Sequence, residues 1–405
     1  KLFTTAAALD SFGPGHLFET RFVLRGTAQG GVLQGDLGVV GGGDPNISGR
    51  GFDGDSFAVF RQWARALRER GIRRVTGDVY LAHGLFTGPV VHPDWPREQL
   101  SSWYEAPVDA LSFNDNCVLV RVGPGRLGGL AQVEIVPPVR LLRVDNTSRT
   151  VASRKSHRVA VSRDGDLLRV SGAIFSGAGP LEVWVTVPDP VRYFGAGLVA
   201  ALASEGIQVA GRLRPVPQLP GPVWERVSAF RSDLITALQV TNKRSQNFYA
   251  EALVKGLGAR RCGVGSWQEG VRAVSEFLAG VGIPRGSFQM ADGSGMSRHN
   301  RFTPRQVTLL LRHMYHHPAG SEFAKSLPYG GEDNGSWKKR LAGYPYRGNV
   351  YAKTGTLSGV SALSGYAKGV SGRTYAFSIL GNRTAGSWAA KQAEDRIVMA
   401  LIDNG

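Results

Sequence analysis

Long apolar runs are missing from this chain. None reaches the roughly 18 residues that a membrane-crossing helix needs, so no transmembrane span is expected. Cysteine is nearly absent: Cys117 and Cys262 are the only two in 405 residues. They lie far apart and in no CxxC or metal-ligand spacing, which leaves two buried thiols or one disulfide. Metal motifs are also missing. His316-His317 is the only adjacent histidine pair, and no HExxH-type motif accompanies it, so no metal and no cofactor is expected. Acidic charge is short, with 32 Asp and Glu against 48 Lys and Arg, a net charge of +16. Such a surface favours nucleic acid, anionic lipid or an anionic cell wall, or reflects Arg-rich composition without a specific partner. The basic residues are scattered and no recognition module or aromatic-basic stripe appears, which argues against nucleic acid. Internal repeats and low-complexity segments are lacking too.

What is present suffices for real cores: 42% hydrophobic residues and 20% charged. The length predicts two or three domains. Residues 1–12 read as a buried Ala-rich helix stopped by Gly13-Pro14. No signal peptide pattern occupies residues 1–30, and a buried helix without an N-cap leads us to expect a truncated start. Short strands with glycine turns are predicted over 18–40, a helix over 57–70, a strand over 75–81, and β-rich stretches over 110–122 and 131–187. A helix pattern covers 189–205. Beyond about 225 helical patterns dominate, at 232–257, 267–281 and 304–316. Strands at 348–356, 360–368 and 373–381 and a helix at 388–402 follow. The N-terminal helix returning onto this last part predicts one α/β domain split in sequence, with the β-rich middle as an insertion.

The chemistry concentrates in a few places. Tyr351-Ala352-Lys353-Thr354-Gly355-Thr356 reads as a strand ending in a glycine and small hydroxyl residues. A lysine, a threonine hydroxyl and a glycine that admits a ligand to the backbone can hold a carboxylate at an exposed strand edge. The same stretch is also compatible with an edge strand carrying a charged gatekeeper. Acyl transfer by a serine needs a nucleophile, a base, oxyanion donors and a grip on the substrate carboxylate. Two Ser-x-Asn triplets compete to join Lys353: Ser245-Gln246-Asn247 and Ser112-Phe113-Asn114. Ser245 lies at a polar break between helical stretches that can project into a cleft. Ser112 is expected in a strand, where a hydroxyl on the solvent face suffices. Ser245 is preferred.

Taken in order, these blocks resemble the D-alanyl-D-alanine carboxypeptidase/endopeptidase family of class C low-molecular-mass penicillin-binding proteins. The resemblance runs through nearly all of the chain. It is carried by Lys-Leu-Phe-Thr-Thr-Ala-Ala-Ala-Leu at 1–9, Gly-Gly-Gly-Asp-Pro at 41–45 and Ala-Leu-Ser-Phe-Asn-Asp-Asn at 110–116. Asn-Lys-Arg-Ser-Gln-Asn at 242–247, Asp-Gly-Ser-Gly-Met-Ser-Arg at 292–298 and Ala-Lys-Thr-Gly-Thr-Leu at 352–357 complete it. It implies an α/β (α+β) transpeptidase/β-lactamase-like domain, an antiparallel sheet flanked by helices, at 1–20 and 223–405. Two β-rich domains are inserted, one over 21–41 and 128–222, the second over 42–127 nested within it.

The resemblance makes Lys1 the lysine of the first motif, Ser-x-x-Lys, and puts the nucleophilic serine three positions ahead of it. The complete internal match, Ser336-Trp337-Lys338-Lys339, falls after the second motif rather than before it and is set aside. Lys1 is then the candidate base, Ser245 a proton relay, Asn247 a hold on the substrate backbone, and Lys353 positive charge near Ser245. Thr354 and Thr356, with Gly355 between them, would meet the terminal carboxylate, and the Thr356 N–H would complete the oxyanion hole. Arg298 would meet an acidic group of the peptide. Tyr104 would lean over the cleft from the inserted region, while Trp95 and Trp103 read as core aromatics. Gln99 stands where relatives often have a carboxylate. The implied substrate is a peptidoglycan stem peptide, the implied inhibitors are β-lactams, and the implied place is periplasmic or extracytoplasmic, with peripheral membrane or wall association. A β-lactamase is the nearest rival, disfavoured by the long stretch between Lys1 and Ser245. A non-catalytic wall-binding protein with the same fold is the second.

Overall fold

A computed structural model describes residues 1–333 and 335–405. The chain forms two compact units, one from Lys1–Leu17 with Asp233–Gly405, the other from Phe18–Ser232.

In the first unit, Val350–Leu357, Val360–Lys368 and Thr374–Asn382 form a three-stranded antiparallel sheet with Val360–Lys368 in the middle. Strand alternation sends Leu363 and Ala367 to one face and Tyr366 to the other. The first face packs against Val398 and Ile402 of the C-terminal helix Ser387–Asn404. On the second, the Tyr366 hydroxyl donates to Leu311 O (2.7 Å) in the helix Pro304–His316. Helices therefore flank both faces of this sheet. The remaining helices surround Leu2–Phe12, whose residues 2–9 are all buried. Such continuous burial explains its weak amphipathicity: an all-apolar helix belongs inside other helices. Its two buried polar positions are satisfied, Thr4 Oγ1 donating to Gly293 O (2.7 Å) and Thr5 Oγ1 to Lys1 O (2.9 Å).

The predicted helical stretch 232–257 is two helices, Leu234–Lys243 and Asn247–Cys262. Asp233 caps the first, accepting from Thr236 N (2.7 Å). Ser245, at φ 57°, breaks the chain between them. The strand, helix and turn positions predicted after 260 recur within a few residues, and a short helix at Gly320–Ser326 adds to them.

In the second unit, the hairpin Leu17–Gln29 and Val32–Val40 opens a seven-stranded mixed sheet. A single core runs through this unit from Phe22 to Ile207, with Phe60, Trp63, Phe113 and Phe194 at its centre. The strand expected over 75–81 is two short strands, Arg74–Val75 and Val79–Ala82. Gly77 breaks it: a Cβ there would lie 2.2 Å from Asp36 Oδ1 and 2.4 Å from Gly35 O, while the Asp78 N–H donates to Asp36 Oδ1 (2.7 Å). Ser112 departs from expectation as well. It is buried in a turn rather than on a strand's solvent face, its Oγ donating to Asp109 O (2.9 Å) and accepting from Asn116 Nδ2 (3.0 Å). Trp95 is buried, but Trp103 is 41% exposed and so is not a core aromatic. Cys117 is buried and Cys262 exposed, and both are free thiols.

Glu105 is an unforeseen feature of this unit. Its side chain is fully buried, and among the described residues neither carboxylate oxygen has a hydrogen-bond partner. Burial, and then the charge of Glu98, push its carboxyl up to about 7. A carboxyl with a raised folded-state pKa stabilises the fold most below about 4.5, and that stability is lost as pH rises through about 7. Glu105→Met, which removes the buried charge at similar volume, should therefore stabilise the protein at pH 8 by on the order of 1–3 kcal/mol. At pH 4 the gain should be much smaller. Thermal unfolding at the two pH values checks this, and an equal shift at both would rule out ionisation as the cause.

Candidate functional site

Four side chains from three segments far apart in sequence meet in the first unit. Lys1 stands at the start of the Leu2–Phe12 helix, and its Nζ donates to Asn247 Oδ1 (2.5 Å) and Ser294 O (2.9 Å). Lys353, on the Val350–Leu357 strand, donates from Nζ to Ser245 Oγ (2.9 Å) and Thr354 O (2.9 Å). Asn247 is the buried first residue of its helix, with Oδ1 accepting from Lys1 Nζ. Ser245 occupies the left-handed region, which costs a non-glycine residue about 1 kcal/mol and suits the residue that ends a helix. That backbone turns its hydroxyl towards Lys353. Backbone strain of this kind collects at functional sites.

Both amines are desolvated. Burial lowers Lys1 to about 8, with the Glu251 and Asp292 carboxylates pulling the other way. Burial, and then the charge of Lys1, hold Lys353 well below the usual lysine range. A proton is therefore easily lost from this pair near neutral pH, which suits acid–base work.

The strand edge beside them is half covered. The Ala352 N–H donates outward to Pro328 O (2.9 Å), and the Gly330 N–H donates to Val350 O (2.9 Å). Past Ala352 this backbone cover ends among the described residues. Outward-facing amides alternate along an antiparallel strand, so the N–H groups of Thr354 and Thr356 face the bare edge. Gly355 shares the face of Lys353. A Cβ at 355 would meet only Ala362 Cβ, at 3.4 Å, so internal packing does not require the glycine. Its bareness leaves room beside Lys353 and Ser245.

A second layer supports Lys1, and sequence reasoning missed it. Glu251 is fully buried on the Asn247–Cys262 helix and accepts from Gly293 N (2.9 Å), Ser294 N (2.7 Å) and Trp267 Nε1 (2.8 Å). It thus holds the amide side of Ser294, while Asp292, through Gly295 N, holds the peptide whose carbonyl, Ser294 O, faces the Lys1 amine. Asp292 folds the same loop, accepting from Gly295 N (2.8 Å), Ser297 N (2.5 Å) and Asn300 Nδ2 (2.9 Å). Gly293 is required here, since a Cβ would lie 2.6 Å from Ala250 O and 2.5 Å from Val254 Cγ2. The available signal was Glu251, a carboxylate one helical turn beyond Asn247 in an otherwise apolar run.

The other expected positions fall as follows. Arg298 is exposed at the end of the Asp292 loop, with Nη2 donating to Ser358 O (3.1 Å). Tyr104 lies in the second unit, where its hydroxyl donates to Gln99 Oε1 (3.3 Å). Ser336 and Lys339 are exposed on a short turn anchored by buried Trp337, and Lys338 pairs with Asp333 (2.8 Å).

An antiparallel sheet with helices on both faces and motifs in this order defines the penicillin-binding and β-lactamase-like class of folds. The crystal structure of penicillin binding protein 4 from Haemophilus influenzae superposes with a TM-score of 0.85 over 99% of this chain and 90% of that one, at 24% identity. The same protein complexed with a β-lactam gives 0.79 at 24% identity, over 99% and 89% of the two chains. The model of the D-Ala-D-Ala carboxypeptidase 3 (S13) family matches residues 1–403, and the chain belongs to that family. It is 33% identical to the D-alanyl-D-alanine carboxypeptidase of Actinomadura sp. (strain R39), over 100% of this chain and 76% of the relative. To the D-alanyl-D-alanine carboxypeptidase DacB of Haemophilus influenzae it is 25% identical, over 93% and 78% of the two chains.

Proposed function

We propose that this protein is a serine DD-peptidase that cleaves D-Ala-D-Ala ends or D-Ala cross-links of peptidoglycan stem peptides through an acyl-enzyme. The observation that carries the reading is the meeting of Lys1 with Asn247 and of Lys353 with Ser245 beside a bare strand edge. The reading requires a serine three positions ahead of Lys1. One helical turn before the lysine, its hydroxyl would sit within reach of the Lys1 amine.

The steps follow from these groups together with that serine. Neutral Lys1 takes the serine proton as Oγ bonds to the scissile carbonyl carbon. The Thr356 N–H and the amide of the serine hold the oxyanion. The C–N bond then breaks, and the departing D-Ala amine takes a proton through Ser245. The terminal carboxylate sits against the Thr354 and Thr356 hydroxyls, and its negative charge favours the protonated form of Lys353 when substrate is bound. Water then hydrolyses the ester by the reverse proton path. Asn247 holds the peptide backbone, and Arg298 meets an acidic group ahead of the scissile bond. Such a site works outside the cytoplasm, where a net charge of +16 favours residence on an anionic wall.

A β-lactam opened by the same serine keeps both halves of its amide, so the whole molecule stays attached. Intact mass spectrometry of the full-length protein after incubation with benzylpenicillin should show one long-lived adduct of the full penicillin mass. A peptide ending in D-Ala-D-Ala should lose one D-Ala. No adduct and no D-Ala release would leave a wall-binding protein. Rapid penicillin turnover without peptide cleavage would make it a β-lactamase.

A further inference from the structure

A cavity of about 670 Å³ opens at the tip of the hairpin that carries Lys353, lined by Arg298, Arg301, Thr303, Ser358, Asn382 and Arg383 among others. No carboxylate lines it, and none of its three arginines is ion-paired among the described residues. Some arginines of the same unit are neutralised, as Arg340 is by Glu394 and Asp395 and Arg261 by Glu269 and Glu276. Here the guanidiniums of Arg298 and Arg301 are oriented without being neutralised. Arg301 Nη1 donates to Arg298 O (2.5 Å) and Asn300 O (3.2 Å), and Arg298 Nη2 donates to Ser358 O. Backbone carbonyls fix their planes and leave the charge for another partner.

Arg383 is the third observation. It takes a left-handed conformation, φ 54°, on leaving the strand Thr374–Asn382, a strained choice for a long side chain. The next residue ties that turn to the hairpin tip, Thr384 N–H donating to Gly359 O (3.1 Å). The amino end of the Pro304–His316 helix, capped by Thr303, also opens onto the cavity and adds partial positive charge.

We infer that Arg301 and Arg383 form a subsite for a second carboxylate of the substrate, upstream of the acidic group assigned to Arg298. This rests on the reading of the site given above. With the terminal carboxylate near Thr354 and the scissile carbonyl at the Thr356 N–H, the residues ahead of the scissile bond continue towards Ser358 and Gly359. An extended peptide advances about 3.4 Å per residue, so its upstream side chains reach the cavity in turn. Paired guanidiniums prefer a planar anion to a neutral amide. The enzyme therefore distinguishes stem peptides with a free carboxylate on the second residue ahead of the D-Ala-D-Ala pair from those carrying a carboxamide there.

Two synthetic peptides ending in D-Ala-D-Ala and differing only in that group test this with the full-length protein. Wild type should favour the carboxylate peptide in kcat/KM by about tenfold. Arg301→Gln with Arg383→Gln should bring the ratio below about twofold, and the exposed single change Arg383→Gln to an intermediate value. An active wild type without a preference, or a folded double variant that keeps it, overturns the inference alone. A wild type that neither cleaves peptide nor is acylated by penicillin overturns the reading of the site, and the subsite with it.

Discussion

Lys1→Gln in the full-length protein should slow acylation by benzylpenicillin by about a thousandfold, within the range that a positioned general base supplies. Glutamine keeps a hydrogen-bond donor near Asn247 and Ser294 O but cannot take the serine proton. The wild-type pH profile gives an independent reading of the same group. With Lys1 lowered to about 8, only about a tenth of it is neutral at pH 7. The acylation rate should therefore rise roughly tenfold per pH unit below about 8 and level off above it. The sign follows from burial, which disfavours the ammonium. Were Lys1 an ordinary exposed lysine, the limb would lie near pH 10. Stopped-flow acylation between pH 6 and 10 measures this. A Lys1→Gln protein acylated within tenfold of wild type would remove Lys1 from the role and shift it to Lys353.

Thr356→Pro should lower the same rate by on the order of a hundredfold to a thousandfold, the usual cost of losing one oxyanion donor. The substitution is tolerable because of the register. Ala352 sends its N–H outward to Pro328 O, so Thr356, four residues on, also points its N–H away from the Val360–Lys368 strand. Proline at such an edge position removes no ladder hydrogen bond, and the fold should survive. Thr356→Ala keeps the amide and loses the hydroxyl, so it should cost far less in acylation while weakening the hold on the terminal carboxylate. Acylation rates of both variants, read beside their thermal midpoints, separate the two contributions. Equal losses in the two would assign the effect to the hydroxyl and discard the amide.

Much of this site was legible in the chain. The Lys353 strand could be read from β-branched and aromatic residues running into Gly355, because strand preference and glycine punctuation are local properties. Ser245 and Asn247 could be read as a polar break between apolar helical stretches, and Lys1 from the apolar run behind it. Ser112 was misplaced because Ser-Phe-Asn in an apolar setting looks like a strand. A turn held by Asp109 and Asn116 makes its burial acceptable, and those partners are invisible to periodicity. Trp103 was misjudged for a related reason. Side-chain type gives an average burial, while the turn Trp103–Glu105 leaves the indole outside and the carboxylate of Glu105 inside.

By itself the sequence determined the family, the order of the motifs and most elements of the first unit, since these depend on short-range patterns. Only the tertiary structure decided which groups act on one another. Lys1 meets Asn247 across 246 positions and Lys353 meets Ser245 across 108, and no local preference encodes such distances. The same holds for the depressed pKa of Lys1, for Glu251 bracing Ser294, and for the edge left bare beyond Ala352. Each depends on desolvation and hydrogen-bond geometry, which arise only when separate segments pack together and exclude water.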